Sequence, residues 1–365
     1  MTAFTATPEA IPVTTEDHCQ LELRRHTGTK GHRPVLLVHG ASAASATFRI
    51  GERQTLVDYL LAQGFEVWTL DWRAGMRRAQ DLYCGNRSTD FTIDAAARYD
   101  VPAAIKRISE LGSEKKIAIV GHCMGGGIVS QGIARGHIAN AQVESVVLSG
   151  LGLFYKCAID NMLKAEDQVL EEILANGQAL LHPMRRWDPS VCTQDPRDGP
   201  WDPLMEEPYS VWLRMPLRHD CNNHLCHRLS YMFGMPFLPD KIPSIHRDHL
   251  PSQFGYIPMK FFLHCSQNLR RGYAAPFGSM KRPDPAYLNR AAFQQFNLTL
   301  ITGDLNSLWH RDSIDTMYEW LRRGRTSEQP RGLRKHVIRD YGHQDLLWGT
   351  GAPEDVFPHI LAGLS

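Results

Sequence analysis

Residues 120–126 read Val-Gly-His-Cys-Met-Gly-Gly, which sets Cys123 at the centre of a Gly-x-Cys-x-Gly frame. Such a frame suits a sharp strand-to-helix turn that presents a nucleophile from a strained backbone, because glycines on either side let other backbone come close. The run Lys115–Val120 supplies an apolar strand, and Gly126-Gly127-Ile128-Val129 a tightly packed helix start. A thiol of ordinary pKa, about 8.5, is mostly protonated at neutral pH. Attack by Cys123 therefore needs a base, or an electropositive site such as a helix N-terminus. The competing reading is a buried structural cysteine in a glycine turn.

The base is expected late in the chain, after an acidic or amide partner, in the order nucleophile, acid, histidine. His343, in Arg-Asp-Tyr-Gly-His-Gln-Asp, follows the last strand-like run. The third member should follow the strand before it, in Ile-Thr-Gly-Asp-Leu-Asn, which offers Asp304 and Asn306. A carboxylate at Asp304 would stabilise imidazolium, whereas an amide at Asn306 would only orient the ring, as in Cys-His-Asn proteases. Asp304 also reads as a turn or helix-capping residue, so the residues themselves leave the two open. Two backbone N–H groups are needed for a developing oxyanion. Met124, next to the nucleophile, is one; Ala41, in the small-residue loop His-Gly-Ala-Ser-Ala-Ala-Ser, is the other. His39 and His122 flank the site in sequence and read as structural.

The elements that must hold these residues alternate between strands and helices, which argues for a parallel α/β sheet. Strands are expected over 18–25, 33–40, 65–72, 115–120, 143–152, 297–304 and 334–343, and helices over 53–64 and 92–112, the latter with a kink at Pro102. Between about 155 and 290 the alternation fails. That stretch holds a helical piece over 166–181, the loop Thr-Gln-Asp-Pro-Arg-Asp-Gly-Pro-Trp-Asp-Pro (193–203), and aromatic and histidine-rich segments. Because a credible strand resumes afterwards, it reads as a lid inserted between two sheet strands. The expected organisation is a core of 1–154 and 291–365 with a 155–290 lid.

Composition sets the class. The 365 residues are 43% hydrophobic and 22% charged with a formal net charge of +1, so neither nucleic acid nor an anionic membrane is an expected partner. The N-terminal segment lacks a basic stretch followed by an apolar core, and no apolar run approaches the roughly 20 residues that span a bilayer. The expectation is a cytoplasmic protein with no transmembrane segment. Its eight cysteines are then expected reduced. Cys221 and Cys226 sit among His219, His224 and His227, but their spacing matches no common zinc motif, and no metal is expected.

These motifs together resemble the α/β-hydrolase superfamily, in particular its acid lipase (gastric and lysosomal) branch. The resemblance rests on RPVLLVHGASAASATF, QGFEVWTLDWRAG, FTIDAAARYDVPAAI, VGHCMGG and YGHQDLLWGTGAPEDVF, in that order. The segments CNNHLCHRLSYMFG and QNLRRGYAA resemble bacterial hydrolase modules fused to cholesterol-oxidase-like flavoenzymes, which implies a functional association with an oxidoreductase. No Gly-x-Gly-x-x-Gly is present, so no flavin or other cofactor is expected. The resemblance implies an α/β-hydrolase fold, a mostly parallel sheet flanked by helices with a large inserted lid. It implies Cys123 as nucleophile, His343 as base, and the Ala41 and Met124 amides as oxyanion donors. It departs from the branch in carrying cysteine for serine, and it aligns Asn306, rather than Asp304, with the acidic member. Cysteine at this turn is also similar to polyhydroxyalkanoate synthases and dienelactone hydrolases.

The expected activity is that of an esterase, thioesterase or acyltransferase forming an acyl-thioester on Cys123 from a small hydrophobic acyl substrate. Acyl transfer to an acceptor other than water and a catalytically dead ligand-binding homologue are the alternatives. An intact Cys–His pair argues against the second.

Overall fold

The computed structural model describes residues 7–26, 33–75, 91–112, 116–166, 180–182, 185–186, 223, 226, 229–230, 233–254, 257–279, 287–323 and 332–364. Six strands come first: β1 (Glu9–Thr14), β2 (Gln20–His26), β3 (Arg33–Val38), β4 (Phe65–Asp71), β5 (Ile117–His122) and β6 (Val143–Ser149). Three short ones follow, β7 (Leu180–His182), β8 (Arg185–Arg186) and β9 (Ile257–Pro258), then β10 (Asn297–Gly303) and β11 (Leu333–Ile338). The main sheet runs β1-β2-β4-β3-β5-β6-β10-β11, and β8-β7-β9 form a small separate sheet. β1 and β4 each pair antiparallel with β2. All other pairs of the main sheet are parallel.

The strand burial explains why the sheet was legible. All seven residues of β4 are buried, and β3 exposes only Arg33. Central parallel strands are covered on both faces, so they read as continuous apolar runs. β1 was not anticipated. It is an edge strand in which only Ile11 and Val13 are buried along with Thr15 just beyond it, and it contains Pro12, which an edge tolerates because no ladder donor is lost there.

The helical run expected over 92–112 is present as Ile93–Ala95, a widened turn Ala96–Asp100, and Val101–Leu111. Pro102 lacks an N–H and its ring crowds the carbonyl four residues back; the widened turn ahead of it relieves that contact. The helix expected over 166–181 lies largely outside the described residues. Its last two residues, Leu180 and Leu181, are in β7 rather than a helix. The loop 193–203 and the residues Cys221, His219, His224 and His227 also lie outside the described residues.

β6 and β10 are parallel neighbours, with Ser149 opposite Ile301. Residues 150–296 are therefore inserted between two adjacent strands. Described parts of this stretch include the helices Ile159–Glu166, Pro243–Asp248 and Met259–Arg271. Within the insertion Tyr155 N donates to Gly272 O at 3.0 Å and Ala274 N to Leu153 O at 2.8 Å, and Gln344 N, on the loop after β11, donates to Pro236 O at 2.8 Å. The loops beyond the carboxyl ends of parallel strands are where α/β sheets place their sites. Here those of β5, β10 and β11 carry Cys123, Asn306 and His343. No helix among the described residues is long and apolar enough to cross a membrane.

Candidate active site

Cys123 lies between β5 and the helix Met124–Ala134, with φ 57° and ψ −132°. This is a left-handed φ that a side-chain-bearing residue adopts only under constraint. Gly121 and Gly125 are what make the turn possible. A Cβ on Gly121 would stand 2.8 Å from the Gly125 oxygen and Gly126 N, and one on Gly125 would stand 2.0 Å from the Val38 oxygen. Cys123 N donates to Ser149 O at 2.8 Å, which ties the turn to β6.

Three N–H groups surround the sulfur. The amides of Ala41 and Met124 and the indole N–H of Trp309 all lower the Cys123 pKa, yet burial outweighs them and pushes the thiol up to about 11. Among the described residues the buried Trp309 Nε1 has no other hydrogen-bond partner. Cys123 keeps partial exposure. Cys265, on Met259–Arg271, lies close by, and its thiol is pushed up by burial first and by Cys123 second.

The loop that carries Ala41 is braced from β4. Asp71 accepts from Ser45 N and from Ser45 Oγ, both at 2.7 Å. Ser42 N donates to Ala74 O at 3.2 Å. Arg73, beside Ala74, is buried and donates through Nε and Nη2 to Asp100 Oδ1 at 2.8 and 2.7 Å, and through Nη1 to Asp17 at 2.7 Å. His39 is buried, with Nδ1 2.6 Å from Gly40 O and Nε2 3.6 Å from Asp71.

His343, on the loop after β11, is fully buried. Its Nδ1 lies 3.1 Å from Asn306 Nδ2. Its Nε2 is buried with no hydrogen-bond partner among the described residues. The His122 ring lies against it, tilted by 32°, with the ring centroids 4.7 Å apart. Burial first, then His122, lowers the His343 pKa well below the ordinary value. His122 itself bonds Ser149 Oγ at 3.0 Å and Gln344 Oε1 at 2.9 Å, and burial lowers it to about 4.

Of the two residues considered as third member, the structure brings Asn306 to His343. Asp304 is turned away, its Oδ1 accepting from Asp340 N at 2.7 Å. The reason is local. Asp304 N bonds Ile338 O, and Leu305 N bonds Tyr341 O, so the chain turns between 304 and 306 instead of continuing as a strand. Sequence reasoning missed Trp309 and Asp345. The indole stands three residues after Asn306, but no spacing rule returns it to the sulfur. Asp345 holds the histidine loop, accepting from Gly342 N at 2.7 Å and Leu238 N at 2.9 Å, and burial raises it to about 7. Among the described residues no cluster of three or more His, Cys, Asp or Glu could hold a metal ion.

The sheet order, the strained turn and the residues at its carboxyl edge agree with the match of residues 35–358 to the model of the "Alpha/beta hydrolase family". The chain belongs to that family. Within the α/β hydrolases it is lipase- and esterase-like, with acid lipase-like homologues. It is 32% identical to the gastric triacylglycerol lipase of Homo sapiens, over 98% of this chain and 87% of that protein. It is 30% identical to the Homo sapiens lysosomal acid lipase/cholesteryl ester hydrolase, over 34% of this chain and 30% of that protein. Among solved structures, a lipase in its open form superposes with a TM-score of 0.56 at 13% identity, over 98% of each chain; at that identity it speaks for the fold.

Proposed function

We propose that this α/β hydrolase cleaves esters or thioesters of hydrophobic acids and carries the acyl group as a thioester on Cys123. The observation that carries the reading is the convergence of the Ala41 and Met124 amides on the sulfur of a residue held at positive φ. Donors placed there would face the oxygen of a carbonyl bonded to that sulfur. The apolar surroundings of the thiol, Met124, Tyr155, Cys265 and Trp309, support an apolar acyl group. Residues 155–290 are proposed as the lid over it, and the bonds from Pro236 and Leu238 to the histidine loop support that.

In the first half-reaction the Sγ–H proton passes to His343 Nε2 while sulfur bonds to the acyl carbon. The oxyanion rests on the Ala41 and Met124 N–H groups. Its collapse breaks the bond to the leaving alcohol or thiol, which takes the proton from Nε2. Water then repeats the sequence on the thioester, returning the free thiol and releasing the acid. Because a thiolate leaves more readily than an alkoxide, the same intermediate would pass its acyl group to an amine or alcohol held in place of water. Incubation with a panel of p-nitrophenyl esters and acyl-thioesters, followed by intact-mass measurement, tests the reading: the mass of one acyl group should appear on Cys123. Product analysis with added alcohols and amines separates hydrolysis from transfer. Release of only the free acid would exclude transfer to the acceptors supplied.

A further inference from the structure

The Asn306 side chain is fixed by three neighbours, and they determine which end of the amide faces His343. Trp309 N donates to Asn306 Oδ1 at 3.1 Å, three residues on. Thr302 Oγ1 lies 3.4 Å from Asn306 Nδ2, and its own hydroxyl donates to Gly303 O at 3.3 Å, which leaves a lone pair for the amide. The remaining N–H of the amide points at His343 Nδ1, 3.1 Å away. Turning the amide over would set its NH2 against the Trp309 N–H and leave a buried donor without an acceptor, since Asn306 is fully enclosed.

An amide that donates to Nδ1 requires Nδ1 to be the unprotonated nitrogen of the neutral ring. The proton is then on Nε2, the nitrogen that has no partner among the described residues and that a base needs free. A carboxylate at this position has two oxygens, so it accepts from the Trp309 N–H with one and from an Nδ1–H with the other. The asparagine has one oxygen, already engaged.

We propose that Asn306 holds the resting enzyme with His343 in the Nε2–H tautomer, and that His343 becomes a base only when this amide releases the Trp309 N–H and turns its oxygen to Nδ1. This rests on the reading of Cys123 as the acylated nucleophile. Tautomer exchange moves one proton, off Nε2 to solvent water and from water on to Nδ1. The ring stays neutral before and after, so no oxidant or counter-charge is involved. Asn306 is thus a positioning residue that restrains the nucleophile's base. In the resting state the Nε2–H is a donor with no partner among the described residues, suited to meet a carbonyl or a leaving-group oxygen that arrives there.

The test is long-range ¹H–¹⁵N NMR on the full chain labelled with ¹⁵N-histidine, with the His343 signal assigned by its loss in His343→Gln. The wild-type resonance pair should report an unprotonated Nδ1 and a protonated Nε2. In Asn306→Asp the pattern should reverse, and Cys123 acylation by a p-nitrophenyl ester should speed up by about tenfold to a hundredfold, the factor that corresponds to the buried donor conflict removed. A protonated Nδ1 in the wild type would overturn the proposal regardless of any variant. So would an unchanged tautomer, or slower acylation, in a folded Asn306→Asp protein. Failure to acylate Cys123 in either protein, with the tautomers as expected, would instead count against the thioester reading.

Discussion

The two sides of the Cys123 sulfur are built with opposite electrostatics. On the side of the Ala41 amide, charge fixes the backbone. Asp71 grips Ser45, and the enclosed Arg73–Asp100 pair, extended to Asp17, holds the turn whose Ala74 carbonyl receives Ser42 N. On the side of the histidine, no carboxylate among the described residues touches a His343 ring nitrogen. His343 is oriented by an amide, lies against a neutral His122, and is buried. The difference teaches what each side must do. Amide donors have fixed protons and need only to be rigid, which charge-assisted bonds supply. On the proposed mechanism the histidine must gain and lose a proton, and a neutral, buried surround leaves its state to be set by one hydrogen bond.

The contrast is broken most severely from the charged side. Arg73→Met would leave Asp100, whose carboxyl burial already pushes upward, without its partner. Removing one member of an enclosed ion pair costs about 3–5 kcal/mol, so urea denaturation should show a loss of that size. A loss under about 1 kcal/mol would mean that the charges are not what braces this side. On the neutral side the pH dependence of stability is the probe. His122 is lowered to about 4 in the folded protein, against about 6.5 when unfolded. Between those values the unfolded chain binds the extra proton, so stability is complete above about pH 6.5 and falls as pH drops toward 4, by up to about 1.4 kcal/mol per unit for this group. His122→Gln should flatten that slope by one proton; an unchanged slope would mean that His122 is charged in the fold. The finest discrimination concerns the thiol itself. With its pKa pushed up to about 11 by burial, iodoacetamide labelling of Cys123 should climb roughly tenfold per pH unit from 7 to 10. A flat profile would reveal a thiolate–imidazolium pair.

Much of this site was legible in the sequence because its pieces sit at strand ends. Gly121, Cys123 and Gly125 follow an apolar strand, and their spacing has one good geometric use. Ala41 and His343 follow β3 and β11 in the same way. Asn306 and Asp304 could not be separated from spacing alone, since the choice depends on where the chain leaves β10, and that is set by backbone bonds to Ile338, at the end of β11, and to Tyr341 in the loop after it. Trp309 and Asp345 were not seen for a similar reason: each acts through a contact made by the fold and by no local pattern. β1 escaped because an edge strand with a proline and two inward apolar residues has little periodicity to read.

The central claim is that acyl groups pass through Cys123, and intact-mass spectrometry of the reacting protein tests it most directly. Mixed with an acyl-thioester or p-nitrophenyl ester under single-turnover conditions, the wild-type protein should gain the mass of one acyl group on the peptide that contains Cys123, and lose it at the rate at which the acid appears. Cys123→Ala, which removes the nucleophile and little volume, should fold, gain no mass and show no turnover above background. Wild-type turnover in Cys123→Ala, or product release from the wild type with no acyl group ever found on Cys123, would contradict the account.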